Sequence, residues 1–180
     1  MKKVMLSMAM VGLGFLANAQ MYSTAGGKVG FFSKTPIEDI KAENTTVLAV
    51  LKAETNDIAI AITNMSFDFE NKLMQEHFNE KYMESDKNPK STFKGKINEK
   101  IDYTKDGEYA VTATGILNIH GVEQNRTITG TLTVKDGIIQ LVSNFKLKVA
   151  DHKITVPTVV TAKIAEEIEV KVDMLLVKKG

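Results

Sequence analysis

The chain contains no cysteine. That excludes disulfides, thiolate metal sites and a cysteine nucleophile. It also excludes a lipid-modified cysteine beside a leader, so no stable membrane anchor is expected. Charge of one sign is lacking too. Removing Lys2 and Lys3 with a leader leaves 21 basic against 22 acidic residues. A near-neutral chain without a basic block is a poor partner for nucleic acid, whose affinity rests on phosphate neutralisation. There is no linker, low-complexity run or internal repeat after the leader. No G-x-S-x-G, Walker loop or G-x-G-x-x-G is present.

What is present begins with an address. Lys2 and Lys3 form a basic start, Val4 to Leu16 an apolar run, and Ala17-Asn18-Ala19 an A-x-A cleavage site. The run is too short and wrongly flanked for a stable span. Residues 1–19 are therefore expected to be a signal peptide and 20–180 a single domain starting at Gln20, periplasmic or secreted. A domain of this size buries roughly 70% of its unfolded surface and needs no disulfide. The sequons at Asn44, Asn64 and Asn125 are short matches and read as background.

From Tyr109 to Val149 apolar and polar side chains alternate almost without a break. Val111, Ala113, Gly115, Leu117 and Ile119 share one face, as do Ile128, Gly130, Leu132 and Val134. Ile139, Leu141, Phe145, Leu147 and Val149 form a third such face. Period-2 alternation means strands with one dry face and one wet face. His120-Gly121 to Asn125 and Lys135-Asp136-Gly137 turn the chain, so the product is an antiparallel meander. A meander with one dry face must cover it or close on itself, which points to a barrel with an apolar interior.

The remainder is consistent with that. Val29 to Ser33 reads as a first short strand, and Val47 to Ala53 with Ile58 to Thr63 as a hairpin. The apolar phase shifts from Ile58, Ile60 and Ile62 to Met65, Phe67 and Phe69, which predicts a bulge or turn near Asn64. Asn71 to Asp86 breaks the alternation; Leu73, Met74, His77 and Phe78 recur at helical spacing behind Asn71 as N-cap. Strands resume over Thr92 to Tyr103, with Phe93 and Ile97 on one side. The last runs from Ile164 to Val177, with Ile168, Val170, Val172, Met174 and Leu176 dry. The expected fold is all-β, an antiparallel β-barrel of about eight strands with one short helical insertion.

Two strings carry a resemblance. The first is Leu73-Met74-Gln75-Glu76-His77-Phe78-Asn79-Glu80-Lys81-Tyr82-Met83-Glu84-Ser85-Asp86, followed by Pro89 and Phe93-Lys94-Gly95. The second is Gly115-Ile116-Leu117-Asn118-Ile119-His120-Gly121-Val122, then Leu132, Phe145 and Asp151-His152-Lys153-Ile154. Together they resemble the YceI-like family, from about Tyr22 to Leu176. The resemblance implies a lipocalin-like barrel whose lumen holds a long amphiphile, a polyisoprenoid or isoprenoid quinone in characterised relatives. Asn88 departs from the aromatic residue that relatives commonly carry before the proline.

His77, His120 and His152 show no metal-ligand spacing and are read as structural. No metal, cofactor or catalytic group is expected, and the chain is read as a non-enzyme. The small inward residues Ala113, Gly115 and Gly130 are read as leaving room in the lumen. Twelve residues are expected to line it: Phe67, Phe69, Phe93, Ile97, Val111, Leu117, Leu132, Leu141, Phe145, Leu147, Val170 and Met174. The function read from this is an exported carrier or buffer for a long-chain isoprenoid or other amphiphilic lipid. Two alternatives stand beside it: a filled barrel that binds another envelope protein, and an enzyme acting on the bound lipid. Monomer and homodimer are both open.

Overall fold

The structure is a computed structural model and is described for residues 20–179; the leader expected at 1–19 lies outside the described residues. The strands are β1 (Met21–Lys34), β2 (Asp39–Asn44), β3 (Leu48–Lys52), β4 (Asp57–Thr63), β5 (Asp68–Phe69), β6 (Lys90–Ile97), β7 (Gly107–Ile119), β8 (Val122–Lys135), β9 (Ile138–Lys148) and β10 (Glu167–Lys178). One helix, α1 (Lys72–His77), runs into a wider π-type turn over Phe78–Tyr82.

Ten strands make eight staves. β1 pairs with β2 along its second half, from Val29↔Asn44 to Lys34↔Asp39. It pairs with β3 at its start, from Met21↔Lys52 to Ser23↔Val50. β2 and β3 are thus one stave broken at Asn44–Val47. β4 pairs with β3 and β5 with β2, so they form a second broken stave. β6 to β10 follow in order, and β10 returns to β1 to close an antiparallel barrel. Closure pairs the two long outer strands, β1 and β10, which an open meander would leave exposed; the two-residue β5 keeps a single partner.

The broken staves explain the phase shift near Asn64. A short 3-10 turn, Asn64–Ser66, separates β4 from β5. Each break carries a fully buried asparagine. Asn44 donates from Nδ2 to the Thr63 carbonyl at 2.8 Å and accepts from the Thr46 amide. Asn64 donates to the Asn88 carbonyl at 2.7 Å and accepts from Ser91 Oγ at 2.8 Å. A strand interruption leaves backbone groups without ladder partners, and these amides meet them. Two of the three sequon asparagines are therefore structural.

The meander forms as its alternation predicts. Both of its turns are two-residue connections, His120-Gly121 and Asp136-Gly137, with positive φ at each residue. That is the type I′ geometry whose twist matches antiparallel strands. The expected boundaries differ most at three strands. The strand expected over Thr92 to Tyr103 ends at Ile97, because Tyr103 lies on a loop that turns into the barrel end. β1 begins at Met21, eight residues before the expected start, because it pairs with β10 from Tyr22 to Phe32 to close the barrel. β10 begins at Glu167, not Ile164, because a 3-10 segment over Thr158–Lys163 crosses the barrel end first.

The inward glycines do not simply leave room. Gly95 and Gly115 face each other across β6 and β7. A Cβ on Gly115 would stand 2.4 Å from the Gly95 Cα, and one on Gly95 would stand 2.8 Å from the Phe93 ring. The two backbones approach closely there and the sheet bends, with the Phe93 ring laid over the bare strand. The space expected at Gly115 is filled by backbone.

Candidate functional site

One end of the barrel is filled. Tyr22, Leu51, Leu132, Val134, Ile139, Met174 and Leu176 are fully buried there. The Tyr103 ring lies 6.0 Å from that of Tyr22, and its hydroxyl donates to Asn56 Oδ1 at 2.9 Å. Burial pushes the Tyr103 hydroxyl up to about 12 and raises Tyr22 as well. Both phenols stay neutral plugs at any ordinary pH.

The other half is hollow. A cavity of about 520 Å³ reaches down to Ile58, Ile97 and Val111. Its floor can be drawn from register. Leu132, Leu141 and Met174 are paired neighbours across β8, β9 and β10. Leu141 borders the cavity, whereas Leu132 and Met174 are sealed beneath it. Ten of the twelve residues expected in the lining border the space: Phe67, Phe69, Phe93, Ile97, Val111, Leu117, Leu141, Phe145, Leu147 and Val170. Leu132 and Met174 do not, because they face inward below the point where side chains meet across the axis.

Four phenylalanines form one wall. Phe31 of β1 lies 5.4–5.7 Å from Phe67, Phe69 and Phe78, and Phe69 lies 5.1 Å from Phe78. Offset and edge contacts of this kind add to plain area burial. Phe31 and Phe78 are absent from the expected lining. Phe31 could have been found from the alternation Val29, Phe31, Ser33, and Phe78 from its place on the apolar side of the helical repeat.

Two segments cover the open end. α1 and its π-type turn bring Leu73, Met74, His77, Phe78 and Tyr82 to the cavity. Asn71 starts this helix as predicted, accepting from the amides of Leu73 and Met74. Ile154, Val156, Val160, Lys163 and Ile164 close in from the other side. Ser33 Oγ accepts from the Ala165 amide at 2.9 Å and so pins that segment to β1. Glu38 and Lys163 face each other at the rim, 3.6 Å apart. The serines of the wall serve structure: Ser91 donates to Asn64, and Ser143 donates to the Thr129 carbonyl at 2.6 Å.

The histidines divide. His77 borders the cavity mouth. His120 and His152 come together at the foot of both covering segments. His120 Nδ1 lies 3.1 Å from the His152 carbonyl and Nε2 lies 3.0 Å from a Glu84 carboxylate oxygen. Both partners are acceptors, so both bonds hold at once only when the ring carries two protons. The carboxyl of Glu84 is held below its ordinary range by its bonds to Lys87 first and His120 next. His152 is fully buried, with Nδ1 3.3 Å from the Val122 carbonyl and Nε2 without a partner. Burial pushes its ring toward the neutral form, and neighbouring carbonyls oppose that only in part. Among the described residues no group of three or more histidine or acidic side chains converges as a metal would require.

The YceI-like domain profile matches residues 12–176. The chain belongs to the YceI-like family. No curated protein matches its sequence. The fold of this YceI-like chain is shared with several solved structures. The polyisoprenoid-binding domain from Saccharophagus degradans, implicated in plant cell wall breakdown, superposes with a TM-score of 0.76 at 12% identity, over 88% of this chain and 98% of that one. BcnA of Burkholderia cenocepacia gives 0.71 at 18% identity, over 83% and 95%. The YceI protein of Campylobacter jejuni gives 0.56 at 19% identity, over 100% and 99%.

Proposed function

We propose that this YceI-like protein is an exported carrier or buffer for a long-chain isoprenoid or similar amphiphilic lipid. The observation that carries this reading is a closed barrel sealed at one end, with an apolar cavity of about 520 Å³ at the other. That volume lies within the usual range for small-molecule sites. The tail would lie along the Phe31, Phe67, Phe69 and Phe78 wall with its end over Leu141. The head would stay near Glu38, Lys163 and His77. Ten enclosed carbons supply ~8 kcal/mol at ~0.8 kcal/mol per methylene, close to micromolar affinity before ordering costs. That force is non-directional and selects for apolarity and girth. The polyisoprenoid-binding relative of the same fold supports the choice of tail. Export is supported by the basic start, apolar run and A-x-A site of residues 1–19.

One preparation tests both halves. Protein purified from the envelope fraction is sequenced from its N-terminus and extracted for mass spectrometry. The expected results are a chain starting at Gln20 and a near-stoichiometric long-chain lipid. A chain retaining Met1 removes the export half. Protein that carries no lipid and takes none up from added polyprenol removes the carrier half.

A further inference from the structure

The mouth of the cavity is ringed by apolar side chains that nothing covers. Val159 is 87% exposed, the highest among the large apolar side chains described. It neighbours Val160, which lines the cavity, so one 3-10 turn contributes both wall and outer surface. Leu73 on α1 borders the cavity and is still 57% exposed. Ile37 is 64% exposed and adjoins Glu38, which pairs with Lys163 across the rim. Three separate segments therefore each place an apolar tip at one opening.

The surroundings say what would cover these tips. Three lysines close to the rim are paired with acids: Lys163 with Glu38, Lys72 with Asp68, and Lys41 with Glu43. Asp39 and Glu70 also stand beside Asn71 and Met74 there, so the opening presents no basic block to favour an anionic partner. A second copy that added a strand would need a long open edge, and β5, which ends the strand order with a single partner, is only two residues long. Tips spaced around an opening do not make the contiguous stripe that a partner helix needs. They do suit a fluid apolar phase, which each tip can enter independently.

We infer that the rim of Ile37, Leu73 and Val159 docks onto the surface of a zwitterionic lipid bilayer, so that the cavity opens directly against the layer a tail must leave or enter. The inference rests on the lipid-carrier reading and deepens it. Docking lets a tail pass between bilayer and lumen without crossing water.

The chain has no tryptophan, so a single introduced one reports its own surroundings. Val159→Trp places it at the rim. Ile138→Trp places it beside the turn at the sealed end, where Ile138 is 42% exposed. The probe is phosphatidylcholine vesicles. The expected result is a blue shift of Val159→Trp emission on vesicle addition, the same at low and high salt, with none for Ile138→Trp. A double variant, Ile37→Asp with Val159→Asp, should keep its melting temperature and lose co-flotation with the vesicles. Absence of the shift, equal shifts at both ends, or a shift abolished by salt overturns apolar docking. So does a shift that grows with protein concentration without vesicles, which would mean a second copy takes the rim. Lipid extracted from the same Val159→Trp preparation separates the two ideas. Bound lipid without a shift removes docking alone; a shift without lipid removes the carrier.

Discussion

At the residue scale, neighbours in sequence have opposite roles. Phe145 borders the cavity, while the Lys146 side chain points outward and is largely exposed. Phe145→Arg would set an unpaired charge beside the tail, a costly placement softened only if the side chain reaches the mouth. It should lose co-purifying lipid while Lys146→Glu keeps it. Melting temperatures of both variants check that the loss is not unfolding; a folded Phe145→Arg with its lipid intact would move the binding site out of the lumen. His152 calls for a different measurement. Its folded ring resists the proton, so the unfolded chain takes the proton first as pH falls below about 6.5. Stability is therefore full above that pH and declines below it, toward the lower folded value. The melting temperature at pH 7.5 minus that at pH 5.5 should shrink in His152→Gln relative to the parent. His120 and Glu84 are present in both proteins, so the comparison isolates His152. An unchanged difference would mean that this ring does not resist protonation.

At the scale of elements, regular alternation could be read and interruptions could not. β7, β8 and β9 emerge close to their expected bounds because fourteen-residue and eleven-residue runs hold one phase. β2 has no counterpart in the sequence reading. Its inward positions are Ile40, Ala42 and Asn44, so only one bulky apolar residue marks its dry face. The break residues Asn44 and Asn64 look like ordinary loop asparagines in sequence, and their partners lie up to 27 residues away. Asn64→Ala should strand the Asn88 carbonyl and the Ser91 hydroxyl in a dry site. The expected cost is about 3 kcal/mol, or a fall of roughly 6–12 °C in melting temperature. A calorimetric scan within 2 °C, roughly, of the parent would show that the break does not depend on this amide.

For the whole molecule, alternation told which side chains face the axis but not how far along it they sit. Leu132, Leu141 and Met174 share a row and a face, yet only Leu141 meets open space. Depth is decided by what crosses each end. Tyr103 fills one end from a loop; α1 and the segment before β10 only roof the other. Neither crossing leaves a period in the sequence. The segment from Lys153 to Lys163 offers no repeat, and the meeting of Glu84, His120 and His152 joins positions 36 and 32 residues apart. Among the described residues no helix is long and apolar enough to cross a membrane.

The seam between β1 and β10 has a consequence for how the molecule is made. Tyr22 pairs with Lys178 and Val29 with Val172, so the first stave to emerge from synthesis waits for the last. Every other seam joins staves that are neighbours in sequence; this one joins the first to the last. Contacts so distant along the chain slow folding, and for that interval two strand edges stand open. β10 carries its own guard for the wait. Glu167, Glu169, Lys171 and Asp173 alternate along its outer face, and charges there discourage pairing with another chain. β1 has fewer charges but contains Gly26-Gly27 at a register shift, which breaks the flat run a foreign strand would need. The same closure that later covers these two strand edges makes assembly a race between the two ends of one chain.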